Sequence, residues 1–186
     1  MACVRVVGIG GALRESSTSE TALHWMLSSL KSEGCATSSF VGCDIDFPMF
    51  SPRGGNDDKR LVGYLEAVRN ADAVVLSSPV YHGAPSGLIK NALDHLQPLM
   101  EDERAYLTGR PVLCVAAGGG LQGAVNTLSS LRDIVHALRG WPTPMQVPIS
   151  SSAKPFDDQG NCTDGRLEKS LLAARDNLLS FVRSPA

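Results

Sequence analysis

A chain of 186 residues with 43% hydrophobic and 19% charged side chains has the composition of a folded domain with a proper core, which argues against disorder and against a second domain. The formal net charge of −2 gives no basic footprint for nucleic acid and no polybasic patch for an anionic membrane surface. No apolar run approaches the roughly 18 to 20 residues that span a bilayer, and Met1-Ala2-Cys3-Val4-Arg5 leads into a strand pattern rather than a signal-peptide core, so the expected setting is the cytoplasm with no membrane partner.

Val4 to Ile9 reads as a first, central strand ended by Gly10-Gly11. Ser17-Thr18-Ser19-Glu20 matches a capping box, so a helix should begin at Ser17 and carry Ala22, Leu23, Met26, Leu27 and Leu30 on one face up to Gly34. Cys35 to Val41 is a weaker strand whose Thr37-Ser38-Ser39 suits a sheet edge. The Pro/Gly/Asp-rich stretch from Gly42 to Asp58, with Phe47, Met49 and Phe50, is longer than most connections; it reads equally as a functional loop and as a packed surface loop. Lys59 to Asn70 fits a helix with Leu61, Leu65 and Val68 inward. Ala73-Val74-Val75-Leu76 is then a buried strand, after which Pro79, Gly83, Pro85 and Gly87 are expected to stop strand and helix alike. The next helix carries Leu88, Ile89, Ala92, Leu93 and Leu96 and is closed by Pro98.

Pro111 to Ala117 is another buried strand, with Cys114 in the core. Gly118 to Gly123 reads as a flexible turn, and Ala124 to Leu138 as a helix lined by Val125, Leu128, Leu131 and Val135. Met145 to Ile149 supplies a fifth strand, a polar loop runs from Ser150 to Asp164, and a last helix holds Leu167, Leu171, Leu178 and Val182. Cys3, Cys35, Cys43, Cys114 and Cys162 include no C-x-x-C pair, which signals neither a disulfide framework nor a zinc cluster. Strands alternating with helices imply right-handed crossovers and a doubly wound α/β domain over 1–186: a five-stranded parallel sheet with helices on both faces.

Ligands of such sheets bind beyond the carboxyl ends of the strands. The loop after the first strand is a poor Rossmann fingerprint, because Leu13 stands where the third glycine belongs and Phe40-Val41 where an acid belongs. Arg14 and the hydroxyls Ser16, Ser17, Thr18 and Ser19 at a helix start instead suit a terminal phosphate, although Glu20 adds an opposing charge unless the capping box occupies it. The plain alternative is a serine-rich helix start. The loop after the third strand offers backbone groups. In the loop after the fourth strand, Gly118, Gly119 and Gly120 permit close approach of a planar ligand and Gln122 offers an amide; otherwise it is only a turn that starts a helix. His82 sits in a loop whereas His24, His95 and His136 fall on expected helices, and Lys90 and Asp94 have the spacing of a surface pair.

The first two loops resemble those of the NADPH-dependent FMN reductase family, a flavodoxin-like group. Against G-S-x-R-x-x-S-x-N the chain has Gly11, Arg14 and Ser17 in register, with Ala12 for the serine and Ser19 for the asparagine. Against P-x-Y-N-x-S-x-P-G-x-L-K-N-x-x-D it has Pro79, Tyr81, Pro85, Leu88, Lys90, Asn91 and Asp94, with His82 for the asparagine, Gly83-Ala84 for the residues containing serine, and Ser86-Gly87 for the proline-following glycine. The resemblance runs from Val4 to about Leu179, and its specific motifs occupy these two loops.

It implies strand order 2-1-3-4-5. It implies FMN as cofactor, with its phosphate at Gly11, Arg14 and Ser16 to Ser19, and its ring bordered by the backbone of Pro79, Val80, Tyr81, His82 and Gly83. NADPH or NADH is the implied hydride donor. The reduced flavin would be released, for example to a flavin-dependent monooxygenase, or would pass electrons to a quinone, azo, nitro or metal-oxyanion acceptor. A homodimer or homotetramer is implied, and the Phe47 to Phe50 and Leu96 to Tyr106 segments are plausible interface material. Because the cofactor carries the chemistry, no catalytic side chain and no metal is expected. Two other readings stand beside this one, an electron carrier of the flavodoxin kind and a flavin-binding interaction module; the balanced net charge weighs against the carrier.

Overall fold

The computed structural model describes residues 3–54 and 58–183. Its strands are β1 (Arg5–Gly10), β2 (Ala36–Val41), β3 (Ala73–Tyr81), β4 (Ala84–Pro85), β5 (Pro111–Gly118), β6 (Trp141–Pro142) and β7 (Val147–Ser150). Its helices are α1 (Thr18–Ser32), α2 (Lys59–Asn70), α3 (Gly87–Asp94), α4 (Leu121–Ala137) and α5 (Gly165–Arg183). The sheet runs β2-β1-β3-β5-β6, with β7 also on β5 and β4 on β3. All pairings are parallel except β3 with β4. With β6 and β7 taken as one broken edge and β4 as an appendage, this is the flavodoxin-like order 2-1-3-4-5.

The alternation of side chains along the central strands decides which helices cover each face. Val7, Ile9, Val74, Leu76, Val112, Cys114 and Ala116 point to one side, where α2, α3 and α4 close over them. Their neighbours Val6, Ala73, Val75, Leu113, Val115 and Ala117 point to the other and pack beneath α1 and α5. Burial of this kind holds the Cys114 thiol up to about 12, so it is an inert core group.

Several boundaries differ from the sequence reading. β3 does not stop at Leu76. It continues through Pro79 to Tyr81 and folds back on β4, pairing Val80 with Pro85 and Tyr81 with Ala84. Pro79 lies past the end of the β1 ladder at Ser77 and opposite Ala117 of β5. α4 starts at Leu121 rather than Ala124, so the glycine turn is shorter than expected, and Val125 is exposed while Ala124 and Thr127 are buried. α3 ends at Asp94, and Pro98 lies inside a separate 3₁₀ turn over Gln97–Glu101 rather than closing the helix. The last strand is two pieces, because the chain inserts extra residues between the partners of Val112 and Val115.

The Gly42 to Asp58 stretch is tied down rather than loose where it is described; residues 55–57 lie outside the described residues. Phe47 is buried, and the Asn91 side chain donates to Phe47 O at 3.0 Å and accepts from Phe50 N at 2.8 Å. His95 Nε2 lies 2.9 Å from Pro48 O. α2 was expected to bury Leu61, Leu65 and Val68. Leu61 and Val68 are buried as expected, while Tyr64 takes the central place and donates its hydroxyl to Ala92 O at 3.0 Å.

At the amino end of β5, Arg110 is wholly buried and donates to the carbonyls of Ala71, Tyr106 and Arg69 at 2.9, 2.8 and 2.6 Å. Burial pushes its guanidinium down to about 10. It fastens the end of α2 to the segment that leads into β5. Replacing Arg110 with Met leaves those carbonyls short of donors, so the unfolding free energy should drop by about 3–5 kcal/mol, at roughly 1–3 for each buried acceptor left short. Urea unfolding measures this, and a change below about 1 kcal/mol would mean that the clamp is ornamental.

Candidate functional site

The three segments at the carboxyl ends of β1, β3 and β5 are joined to one another by one backbone bond, by serine hydroxyls and by the packing of Val80 on glycine. Gly11 N donates to Ser77 O at 2.8 Å, which carries the ladder one residue past β1. Ser86 then locks the first loop to the second. Its hydroxyl donates to Gly11 O at 2.6 Å and accepts from Ile89 N at 3.2 Å as the N-cap of α3. Its own N–H donates to Ser78 Oγ at 3.0 Å. A Cβ on Gly11 would stand 2.5 Å from Ser86 Oγ and 2.8 Å from Ile89 Cβ, so only glycine allows this approach. Ser77 Oγ donates to Ser19 O at 2.7 Å and ties in the start of α1.

The second and third loops meet at Val80. A Cβ on Gly118 would lie 2.8 Å from Val80 Cβ, and one on Gly123 3.1 Å from Val80 Cγ1. Gly119 O accepts from Ser152 Oγ at 2.8 Å. Gly120 is the N-cap of α4 and brings no side-chain cap, so the first N–H groups of that helix are not taken by a capping side chain. Gln122, expected in a flexible turn, stands exposed in the first turn of α4.

The tip of the second loop explains His82. His82 and Gly83 have φ of 52° and 79° and are the two residues between the paired Tyr81 and Ala84, the backbone sign pattern of a type I′ hairpin turn. Asn, Asp and His tolerate that region best among residues with a Cβ, so His82 is exposed and serves the turn by its backbone.

The hydroxyl group of residues at α1 divides in two. Ser17 is the N-cap and accepts from Glu20 N at 3.3 Å, and Ser17 Oγ and Ser19 Oγ lie 3.2 Å apart, both residues buried. Arg14 and Ser16 are exposed and Thr18 half-buried. Arg14 forms no hydrogen bond or ion pair with the described residues. Ser16 and Thr18 line a cavity of about 610 Å³ with Glu15, Glu20 and His24, whose far wall is the loop from Ser151 through Lys154 to Gly160. That wall is shaped by Asp157, whose carboxylate accepts from the N–H groups of Gln159 and Asn161 at 3.0 and 2.8 Å and from the Asn161 side chain at 2.9 Å. These bonds, the Asn161 side chain first, hold its pKa below the usual carboxylate range. Lys90 and Asp94 form the surface pair expected of them, at 2.8 Å.

Ser77, Ser78 and Ser86 were missed as site-building residues, although each is buried. Ser86 carried a readable signal, a serine three residues before Ile89 at a helix start.

A doubly wound sheet with three joined loops at its carboxyl edge defines a flavodoxin-like α/β protein of the nucleotide-binding kind. The chain matches the NADPH-dependent FMN reductase family over residues 4–154 and belongs to that family. It is 32% identical over 142 residues to the FMN-dependent NADPH-azoreductase of Staphylococcus haemolyticus, covering 75% of this chain and 72% of that protein. The protein of that description from Staphylococcus aureus is 31% identical over the same span. Among solved structures, FerB, a flavoenzyme NAD(P)H:(acceptor) oxidoreductase from Paracoccus denitrificans, superposes with a TM-score of 0.76 at 20% identity, covering 96% of this chain and 97% of that one. An apo NADH:FMN oxidoreductase gives 0.71 at 21% identity, covering 98% and 92%. At such identities the structural likeness is one of fold.

The joints carry two expected outcomes. Gly118→Ala forces a Cβ onto a strand-held Val80 and should cost about 1–3 kcal/mol of stability, in the range of overpacking; urea unfolding would return it unchanged if the loops were not in contact. At the turn, stability should rank His82→Asn at or above the native chain and His82→Val about 1–3 kcal/mol below it, because a β-branched side chain resists positive φ. Thermal and urea denaturation give the order, and an equal ranking of Val and Asn would overturn the turn assignment.

Proposed function

We propose that the chain, as one FMN-binding domain over residues 1–186, is an NAD(P)H-dependent oxidoreductase that binds FMN across the three joined loops. The observation that carries this is the openness of their glycines. A Cβ on Gly83 or Gly120 would meet no atom within 4 Å, and one on Gly119 only Ser152 Oγ at 3.9 Å. Gly120 has φ −144°, a conformation open to any residue, so neither packing nor backbone demands its glycine. Space kept clear above a backbone cradle fits a planar ring.

In this reading Arg14, Ser16 and Thr18 serve the phosphate end together with the N–H groups at the start of α1, while Ser17, Ser19 and Gly11, whose N–H and carbonyl are already taken by Ser77 and Ser86, shape that end from beneath. The backbone of Pro79, Val80, Tyr81, His82 and Gly83 borders the ring on one side, and Gly118, Gly119, Gly120 and Gln122 border it on the other. When bound, FMN supplies hydride acceptance from NADPH or NADH and electron donation to a further acceptor. Fixed backbone donors suit that task because they need no reorganisation as charge develops. Relatives described as azoreductases support an azo compound as acceptor. Reduced FMN that leaves the site would serve a flavin-dependent monooxygenase. The need for a pool of reduced pyridine nucleotide supports a cytoplasmic setting. Exposed Tyr81, Leu121 and Val125 beside the loops, with Met49 and Met100, support a homodimer or homotetramer, whereas Phe47 is buried and unavailable to an interface.

Fluorescence titration should show FMN bound more tightly than riboflavin. Arg14→Ala should weaken FMN by about 1.5–3 kcal/mol, the worth of a hydrogen bond to a charged group, and leave riboflavin almost untouched. Equal affinities for the two flavins in the native chain, together with an Arg14→Ala variant that weakens neither, would overturn the phosphate assignment. Rapid-mixing reduction by saturating NADPH tests the loop roles: His82→Asn should retain most of the hydride-transfer rate, whereas a general acid would contribute about 10²–10⁴-fold.

A further inference from the structure

Glu20 stands in the first turn of α1, where an acidic side chain ordinarily completes a capping box by returning to the N–H of the N-cap residue. Only half of that box is built. Ser17 Oγ accepts from Glu20 N at 3.3 Å, but Glu20 Oε2 is buried without a hydrogen-bond partner among the described residues. Its other oxygen has His24 Nε2 at 3.8 Å, beyond hydrogen-bond distance, and the side chain is only 13% exposed. A buried carboxylate with a free oxygen is costly unless something else uses it. Glu20 lines the same cavity as Ser16 and Thr18.

We propose that Glu20 is a built-in counterweight at the phosphate end of the site, which weakens FMN binding and makes FMN an exchanging ligand of this chain rather than a permanently held group. The inference rests on the phosphate reading given above. Arg14, the hydroxyls and the dipole of α1 attract the phosphate, and a carboxylate fixed in the same turn opposes it and occupies the positive end of the helix. The opposite wall adds Lys154 but also Asp157 and Asp158, so it does not cancel the charge of Glu20. FMN then retains its orientation through the ring-bordering backbone and loses residence time through its phosphate.

The experiment compares the native apo-chain with Glu20→Gln in EDTA, which prevents a divalent cation from bridging carboxylate and phosphate. Glu20→Gln should bind FMN about three- to thirtyfold more tightly, the span of a charge at a helix end, with a matching fall in the FMN dissociation rate. Riboflavin affinity should stay within about twofold, and high salt should narrow the difference between native and variant. Unfolding of the flavin-free proteins should show the variant at least as stable as the native chain. FMN affinity that is unchanged or lower overturns the proposal, as does equal tightening of both flavins, which would report a rebuilt pocket. Glu20→Ala repeats the comparison if the glutamine variant fails to fold. A native chain that prefers FMN while Glu20→Gln fails to tighten sinks only the counterweight. Indifference to the phosphate in both the native chain and Glu20→Gln sinks the phosphate reading and the counterweight with it.

Discussion

The bond from the Ser86 hydroxyl to Gly11 O is the joint on which the carboxyl edge depends. One hydroxyl caps α3, holds the loop after β1, and sits where its own N–H reaches Ser78. Each partner is buried, so loss of that hydroxyl would leave Gly11 O without its donor and the first turn of α3 without its cap, costs of about 1–3 and about 1 kcal/mol respectively. The absence of a side chain at Gly11 is the other half of the joint. The loops after β1 and β3 therefore cannot move independently, and a ligand that spans them meets a surface set before it arrives.

Val80 extends that rigidity to the third loop. Because β3 continues past its parallel partners and turns back through β4, Val80 is held in a ladder while it packs on Gly118 and Gly123. At the other end of the sheet Arg110 does comparable work with charge, fastening three carbonyls where α2 passes into β3 and the Tyr106 segment into β5. The sheet is thus pinned at both ends by buried polar groups, and the ligand edge is left to glycine and backbone.

The fold was legible because its strongest signals are local: apolar runs at Ala73 to Leu76 and Pro111 to Ala117, helical spacing in α1, and the serine cap at Ser17. The failures share a cause. The length of β3 and the broken last strand are fixed by tertiary pairing, which overrides Pro79 as a local stop signal. The hydroxyls at the start of α1 were legible as a group, but not the division that buries Ser17 and Ser19 and leaves Ser16 and Thr18 on the cavity, since that depends on how α1 rotates onto the sheet. Ser77 and Ser78 read as the end of a strand, and nothing in their spacing announced their partners 58 and 8 residues away.

A site built from backbone explains why this chain departs from the family's loop patterns at positions that look important. At His82 the pattern's asparagine and the histidine meet one demand, a positive φ in a two-residue turn, so the exchange keeps the backbone that would face a ligand. Ala12 replaces a serine, but the residue is buried at 4% exposure, and an alanine there leaves no hydroxyl to satisfy. Ser19 replaces an asparagine, and its short side chain finds Ser17 Oγ beneath the helix start. The substitutions fall where side chains serve the protein's own packing or turn geometry. In the proposed reading, specificity for a charged ligand then concentrates in a few side chains at the start of α1, chiefly Arg14, which is exposed, and Glu20, one of whose oxygens faces His24 at 3.8 Å, and these two carry opposite signs.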